Sequence, residues 1–105
     1  MSKDLLIGWT TVGSEAAAEE LARGFVESGL VSCVQVESGV ISHYKWKGEY
    51  CRESEWRLML KFAAVNTDAV ATFMEAHHPY EVPEWVLVRP EAVAPAYLRW
   101  ALGED

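Results

Sequence analysis

Two imidazoles, a phenol and a carboxylate stand between two prolines in the stretch His77-His78-Pro79-Tyr80-Glu81-Val82-Pro83. Imidazole suits divalent copper, zinc and nickel, and a carboxylate or water can complete such a site. Pro79 lacks a backbone N–H and pushes His78 out of the helical region, so a helix entering this stretch ends there. Short, constrained connections of this kind commonly carry metal or small-ligand contacts. The plain alternative is a rigid helix-to-strand turn without chemistry. Neighbours on a helix point about 100° apart, so His77 and His78 chelate one ion only if the chain bends at His78. His77 also continues the apolar stripe Val70, Phe73, Met74, which makes a partly buried core histidine its competing role.

A chain of 105 residues is the size of one domain, here read as residues 1–105, and supports a core without disulfide or metal staples. Half of the residues are hydrophobic and about a quarter charged, the balance of a globular protein. The net charge of -7 leaves no basic surface for phosphate backbones, so nucleic-acid binding is not expected. The same field attracts cations in a generic, salt-screened way. Cys33 and Cys51 form no C-x-x-C pair, and Met1-Ser2-Lys3-Asp4 followed by Leu5 to Trp9 is too short for a leader or a membrane span. A cytoplasmic protein with reduced thiols and no membrane partner is expected.

Several elements must position the turn. Leu5 to Val12 reads as a buried strand ending at Gly13. Ser14 is the expected N-cap of a helix whose stripe is Ala18, Leu21, Ala22, Phe25 and Val26, closed by Gly29. Two long strands follow, Ser32 to Trp46 and Glu49 to Ala63, joined at Lys47-Gly48. Period two groups Val34, Val36, Val40, Tyr44 and Trp46 on one face of the first, and Trp56, Leu58, Leu60 and Phe62 on one face of the second. Asn66 is the expected cap of the helix that reaches His77. A strand from Glu84 to Val88 and a helix from Pro95 to Leu102 complete a β-α-β-β-α-β order, the ferredoxin-like α+β pattern.

Strands usually run about 3–10 residues. Each arm of this hairpin reaches about 14, or roughly 45 Å at ~3.3 Å per residue. Its far aromatics, Tyr44, Trp46, Tyr50 and Trp56, lack a covering helix, which favours burial against other copies. The alternative is a hairpin bent back on its own sheet at Glu37-Ser38-Gly39.

Ser42-His43-Tyr44-Lys45-Trp46-Lys47-Gly48, then Glu55 and Lys61, resemble the hairpin of the CutA divalent-cation-tolerance family. Leu30-Val31-Ser32-Cys33 resembles that family's Leu-Ala-Ala-Cys segment, and His78-Pro79-Tyr80-Glu81-Val82-Pro83-Glu84 its signature turn. Tyr97-Leu98 with Trp100 resembles its last helix. Phe62, Trp56 and Trp85 depart from the usual pattern as packing changes. The resemblance implies a compact homotrimer in which long hairpins pair between subunits, and a link to tolerance of copper and other divalent metals. It carries over to His77 and His78 as metal ligands. The cysteine that accompanies such a pair in some relatives corresponds to Thr10, so the thiolate is missing and weak, exchangeable binding of a divalent metal such as Cu(II) is expected, with no organic cofactor.

In the ferredoxin-like strand order 4-1-3-2, Thr10 lies near the His77-His78 turn, whereas Cys33 begins its strand at the opposite end of the sheet. Cys33 is therefore expected as a small buried hydrophobe, with Lys61 nearby. Glu55 and Lys61 share a strand face but stand too far apart to touch, so a solvated or intersubunit salt-bridge role is expected of them rather than acid–base chemistry. The leading function is divalent-metal binding in metal tolerance. A PII-like sensor with a small ligand at subunit clefts, or a structural trimer for another protein, are the alternatives. No Ser-His-Asp, H-E-x-x-H or paired-carboxylate motif suggests an enzyme.

Overall fold

The computed structural model describes residues 4–104. Met1, Ser2 and Lys3, read above as part of an N-terminus without a leader, lie outside the described residues. Strand β1 (Leu5–Val12) leads into helix α1 (Glu15–Glu27), then strands β2 (Cys33–Trp46) and β3 (Glu49–Ala63). A single 3-10 turn, Ala64–Asn66, precedes helix α2 (Thr67–His77), and strand β4 (Val86–Val88) and helix α3 (Pro95–Ala101) follow. The sheet has the antiparallel order β2-β3-β1-β4. It is the strand order expected of a ferredoxin-like chain.

Helix α1 forms where the 3.6-residue stripe and the cap agree. The Ser14 hydroxyl accepts from the Ala17 N–H at 3.1 Å, and Ala18, Leu21 and Phe25 are buried. The expected cap at Asn66 behaves otherwise: its side chain donates to the Leu30 carbonyl at 3.1 Å, tying the start of α2 to the segment before β2. The Thr67 hydroxyl instead turns back to the Ala64 carbonyl at 2.6 Å.

The core lies between the helices and one face of the sheet. Phe25, Phe62, Leu58, Leu60, Val12 and Val70 are fully buried there, each contributing about 1.5–3 kcal/mol from removal of apolar surface. Phe25 also meets Phe73 of α2 with ring centroids 4.7 Å apart, so it couples both helices to the sheet. Truncating Phe25 to alanine costs about 3–5 kcal/mol by the usual cavity scaling.

The hairpin is paired over its whole length, with Lys47 at φ 51° and Gly48 at φ 83° making a two-residue turn of the type that suits twisted strands. The molecule accordingly measures 47 × 27 × 24 Å. The chain does not fold back at Glu37-Ser38-Gly39. Instead the register slips between Glu37, opposite Arg57, and Val40, opposite Glu55, with Gly39 at φ 76°. Three steps on β2 match two on β3, a bulge with glycine in the left-handed region. This corrects the expected face. Val34 and Val36 point to the helix side, while Val40, Tyr44 and Trp46 point to the other, because one inserted residue inverts a period-two pattern.

The face away from the core carries Trp9, Met59, Val86 and Val88 with the distal Tyr44 and Trp46; Val86 is 51% and Trp46 43% exposed. Strands β2 and β4 are the edges of the sheet.

Candidate functional site: the His-Pro-Tyr turn and the base of the hairpin

Helix α2 ends where Pro79 requires. His78 takes φ -74°, ψ 134°, while its N–H still donates to the Met74 carbonyl at 2.9 Å. The change from helical to extended backbone parts the two histidines. His77 remains on the last turn of α2, exposed, its ring 4.1 Å from that of Phe73. The expected core role is thus only half met: the ring packs on the stripe, but the residue stays at the surface. His78 turns inward to β1 and is 9% exposed.

The hydrogen bonds determine the tautomer of His78. The Tyr80 N–H, an obligate donor, meets Nδ1 at 3.0 Å, so Nδ1 carries the lone pair. Nε2 therefore carries the proton and donates to the Thr11 carbonyl at 3.0 Å, with the Thr10 hydroxyl 2.9 Å from the same nitrogen. Both ring nitrogens are occupied by protein groups. Burial pulls this imidazole below its ordinary value of 6.5, with the Thr11 carbonyl and the Glu55 charge partly opposing the shift. His78 acts here as a neutral strut joining the turn to the end of β1.

Tyr80 extends the strut to the hairpin. Its hydroxyl donates to Glu55 Oε2 at 2.7 Å, and the Ser42 hydroxyl donates to Oε1 at 2.6 Å. Gly13 gives the phenol room, since a Cβ there would stand 3.2 Å from the Tyr80 oxygen. Glu55 is 7% exposed, not the solvated group expected of a strand carboxylate. Burial and the Glu55 carboxylate push the Tyr80 phenol far above its ordinary range, so it stays a donor. Burial, reinforced by Glu55, also raises the Glu84 carboxyl, against the pull of Arg57. Arg57 itself pairs with Glu37 at 2.7 Å beside the bulge.

The remaining candidates are separated from the turn. Cys33 lies opposite Lys61 in the sheet register, level with Ile7 rather than with Thr10. It is half-buried rather than fully enclosed, and free, as is Cys51. The Lys61 ammonium reaches Gln35 at 3.2 Å and the Tyr97 hydroxyl at 3.3 Å. Glu55 and Lys61 thus serve different partners, as their spacing requires. Sequence reasoning missed Ser42 and Thr11. Ser42 joins the Glu55 face only through the bulge, and Thr11 acts through its carbonyl, which no residue type reveals.

Beside the turn, α1 and α2 leave a depression of about 380 Å³ lined by Ala17, Glu20, Gly24, Phe73, His77 and Pro79 among others. Among the described residues no group of three or more His, Cys, Asp or Glu stands together as a metal cage. Among the described residues no hydrogen bond engages the His77 ring, which leaves its nitrogens available to an ion.

Residues 6–104 match the family model described as CutA1 divalent ion tolerance protein. A "Protein CutA homolog" of Xenopus laevis is 34% identical over 100 residues, covering 95% of this chain and 66% of the relative. The chain therefore spans about two thirds of that relative's length. The crystal structure of CutA from Xylella fastidiosa superposes with a TM-score of 0.92 at 33% identity, covering 96% of this chain and 97% of that one. A PII-like protein CutA from Nostoc sp. PCC 7120, in apo form, superposes with a TM-score of 0.88 at 34% identity, covering 94% of this chain and 95% of that one. No helix among the described residues is long and apolar enough to cross a membrane.

Proposed function

This chain belongs to the CutA divalent-ion-tolerance family, and we propose that it acts as a single CutA-like domain in the cellular response to divalent cations, binding them weakly and exchangeably as a cytoplasmic homotrimer. Copper is the first ion of choice, because imidazole nitrogen without thiolate suits Cu(II). The proposed donor is His77. The observation that carries this is the division of labour at the turn. His78 has both nitrogens in hydrogen bonds, while His77 presents its ring at the surface. An ion could take His78 only by displacing the Tyr80 N–H or the Thr11 carbonyl, so His78 is proposed as the residue that holds the turn and His77 as the one that meets the ion. The relatives take their names from tolerance and not from a reaction, in keeping with a non-enzymatic role.

The homotrimer is supported by the open sheet face. Tyr44, Trp46, Val86 and Val88 are each exposed by two fifths or more, an apolar surface that a second and third copy would remove from water. Light scattering on the purified protein is expected to give three times the 11.8 kDa subunit mass. A monomer would overturn this part of the reading.

Calorimetric titration of chelator-stripped protein with Cu(II) and Zn(II) tests the cation. About one saturable ion per subunit, lost in His77→Ala, is expected. No saturable heat in the native protein, or unchanged heat in the variant, overturns the proposal.

A second reading rests on Glu55. A buried carboxylate held by two hydroxyls at the hairpin base, with Glu84 nearby, is a polar centre that a small ligand in a subunit cleft could use. The PII-like description of the Nostoc relative points the same way. Ligand-induced stabilisation lost in Glu55→Gln but kept in His77→Ala would favour this reading.

A further inference from the structure

We propose that the cation is held between the two helices, on His77 of α2 and Glu20 of α1, with water filling its remaining positions. The inference rests on the cation-binding reading above and names its second donor. Residues 17, 20, 21 and 24 form the face of α1 that meets α2, and residues 73, 76 and 77 form the answering face. At one point the helices come close: a Cβ on Gly24 would stand 3.1 Å from the Phe73 ring. The depression is bounded by alanines at 17 and 76, so two small side chains leave the space that the imidazole and the carboxylate border.

Three features suit a cation there. Glu20 supplies a negative oxygen donor. His77 supplies an imidazole nitrogen whose ring is oriented by packing on Phe73 at 4.1 Å. The last turn of α2 presents the negative end of its helix dipole, which favours positive charge at His77. A depression of about 380 Å³ has room for an ion with several waters. Two protein donors with water make a binding site that exchanges readily, and imidazole with carboxylate admits Cu(II) and Zn(II). His78, which faces β1, takes no part.

Titration of the full chain with Cu(II) and Zn(II) would compare native protein with Glu20→Gln, His77→Ala and the control Glu19→Gln, a neighbouring exposed residue outside the depression. Loss of an outer-shell partner already weakens metal binding roughly 10–100-fold, so removing a direct donor should cost at least about tenfold. Weakening in Glu20→Gln and His77→Ala, with Glu19→Gln unchanged, is the expected result. Cu(II) should also broaden the NMR signals of the Ala17 and Ala76 methyls before those of Thr10. Metal-free melting curves of the variants check that each remains folded; Glu20 is exposed and the exchange is isosteric. Full affinity in Glu20→Gln with loss in His77→Ala would overturn the bridging site and leave the His77 reading standing. Broadening centred on Thr10 would also overturn it, and absence of binding in the native protein would overturn both.

Discussion

Tyr80 donates to Glu55 across 2.7 Å and so closes the His-Pro-Tyr turn onto the base of the hairpin. The two residues belong to segments with different tasks. Tyr80 follows the end of α2, and Glu55 sits in β3 just beyond the bulge, opposite Val40. Through Tyr80, His78 and the Thr11 carbonyl, the end of β1 is linked to the hairpin by side-chain and turn hydrogen bonds rather than by sheet pairing alone. Movement at the turn is therefore felt where the apolar hairpin face begins.

Tyr80→Phe keeps the ring beside His78 and removes only the hydroxyl. Glu55 then keeps Ser42 as a donor but loses one charge-assisted bond, at a cost of about 1–3 kcal/mol. Urea denaturation is the measurement, and an unchanged midpoint would show that water replaces the phenol without loss. Glu55→Gln in the Tyr80→Phe background should add less than it does alone, because the two act on one interaction.

The His78 imidazole is expected to titrate below 6.5, its ordinary value, because burial disfavours its charged form. Protonation would place a proton on Nδ1 facing the Tyr80 N–H, two donors against each other. The unfolded chain therefore binds more protons than the folded one between the folded value and 6.5. His78's contribution is complete above about pH 6.5 and is lost as the pH falls through that window. Glu84 acts with the opposite sign: because its carboxyl is raised, its contribution is complete below 4.5 and is lost as the pH rises through its folded value. An NMR titration of the His78 ring separates the two, and a midpoint at or above 6.5 would contradict the assignment.

How far the fold could be read in advance depended on the range of each interaction. Ser14 and the Ala18–Leu21–Phe25 stripe are local, so the start and buried face of α1 were legible, as was the end of α2 at Pro79. The strand order placed Thr10 near the turn, and the structure makes it a hydrogen-bond neighbour of His78. Gly39 was visible as a break but not as a bulge, because a register slip exists only between two strands. Its effect, inversion of the Val40–Tyr44–Trp46 face, could not be counted along one strand. Asn66 looked like a cap, yet Leu30 offers its amide a partner 36 residues away. Glu55 read as solvated because its burial depends on Tyr80. β4 begins at Val86, two residues later than the strand read from Glu84, because only residues 86–88 pair with β1.

Gly8→Ala should be among the most damaging small changes to the sheet. A Cβ at that position would lie 2.6 Å from the Trp85 ring and 2.8 Å from a Leu87 methyl. Trp85 stacks on Phe62, centroids 6.2 Å apart at 16°, so the indole has little freedom to withdraw. Overpacking of this kind costs about 1–3 kcal/mol. A lowered melting temperature with altered tryptophan fluorescence is expected, and unchanged values would mean that the indole swings aside without loss.

Gly39→Ala tests the bulge without touching any neighbour. Nothing lies within 4 Å of a Cβ built there, so the only penalty is backbone, at φ 76°. Left-handed geometry costs an L-residue roughly 1–2 kcal/mol, and the strand can escape the strain by dropping the bulge. Doing so would shift the register of β2 beyond Glu37 by one residue and turn Tyr44 and Trp46 to the opposite face. The two responses are distinguishable. A simple loss of stability with unchanged mass leaves the bulge in place under strain, whereas a register slip should also change the oligomeric state. The bulge is inferred to set the assembly face, so Gly39→Ala is expected to lower stability and, where the slip occurs, to shift the mass measured by light scattering. Retention of both native stability and native mass would show that the position tolerates a side chain and does not control the face.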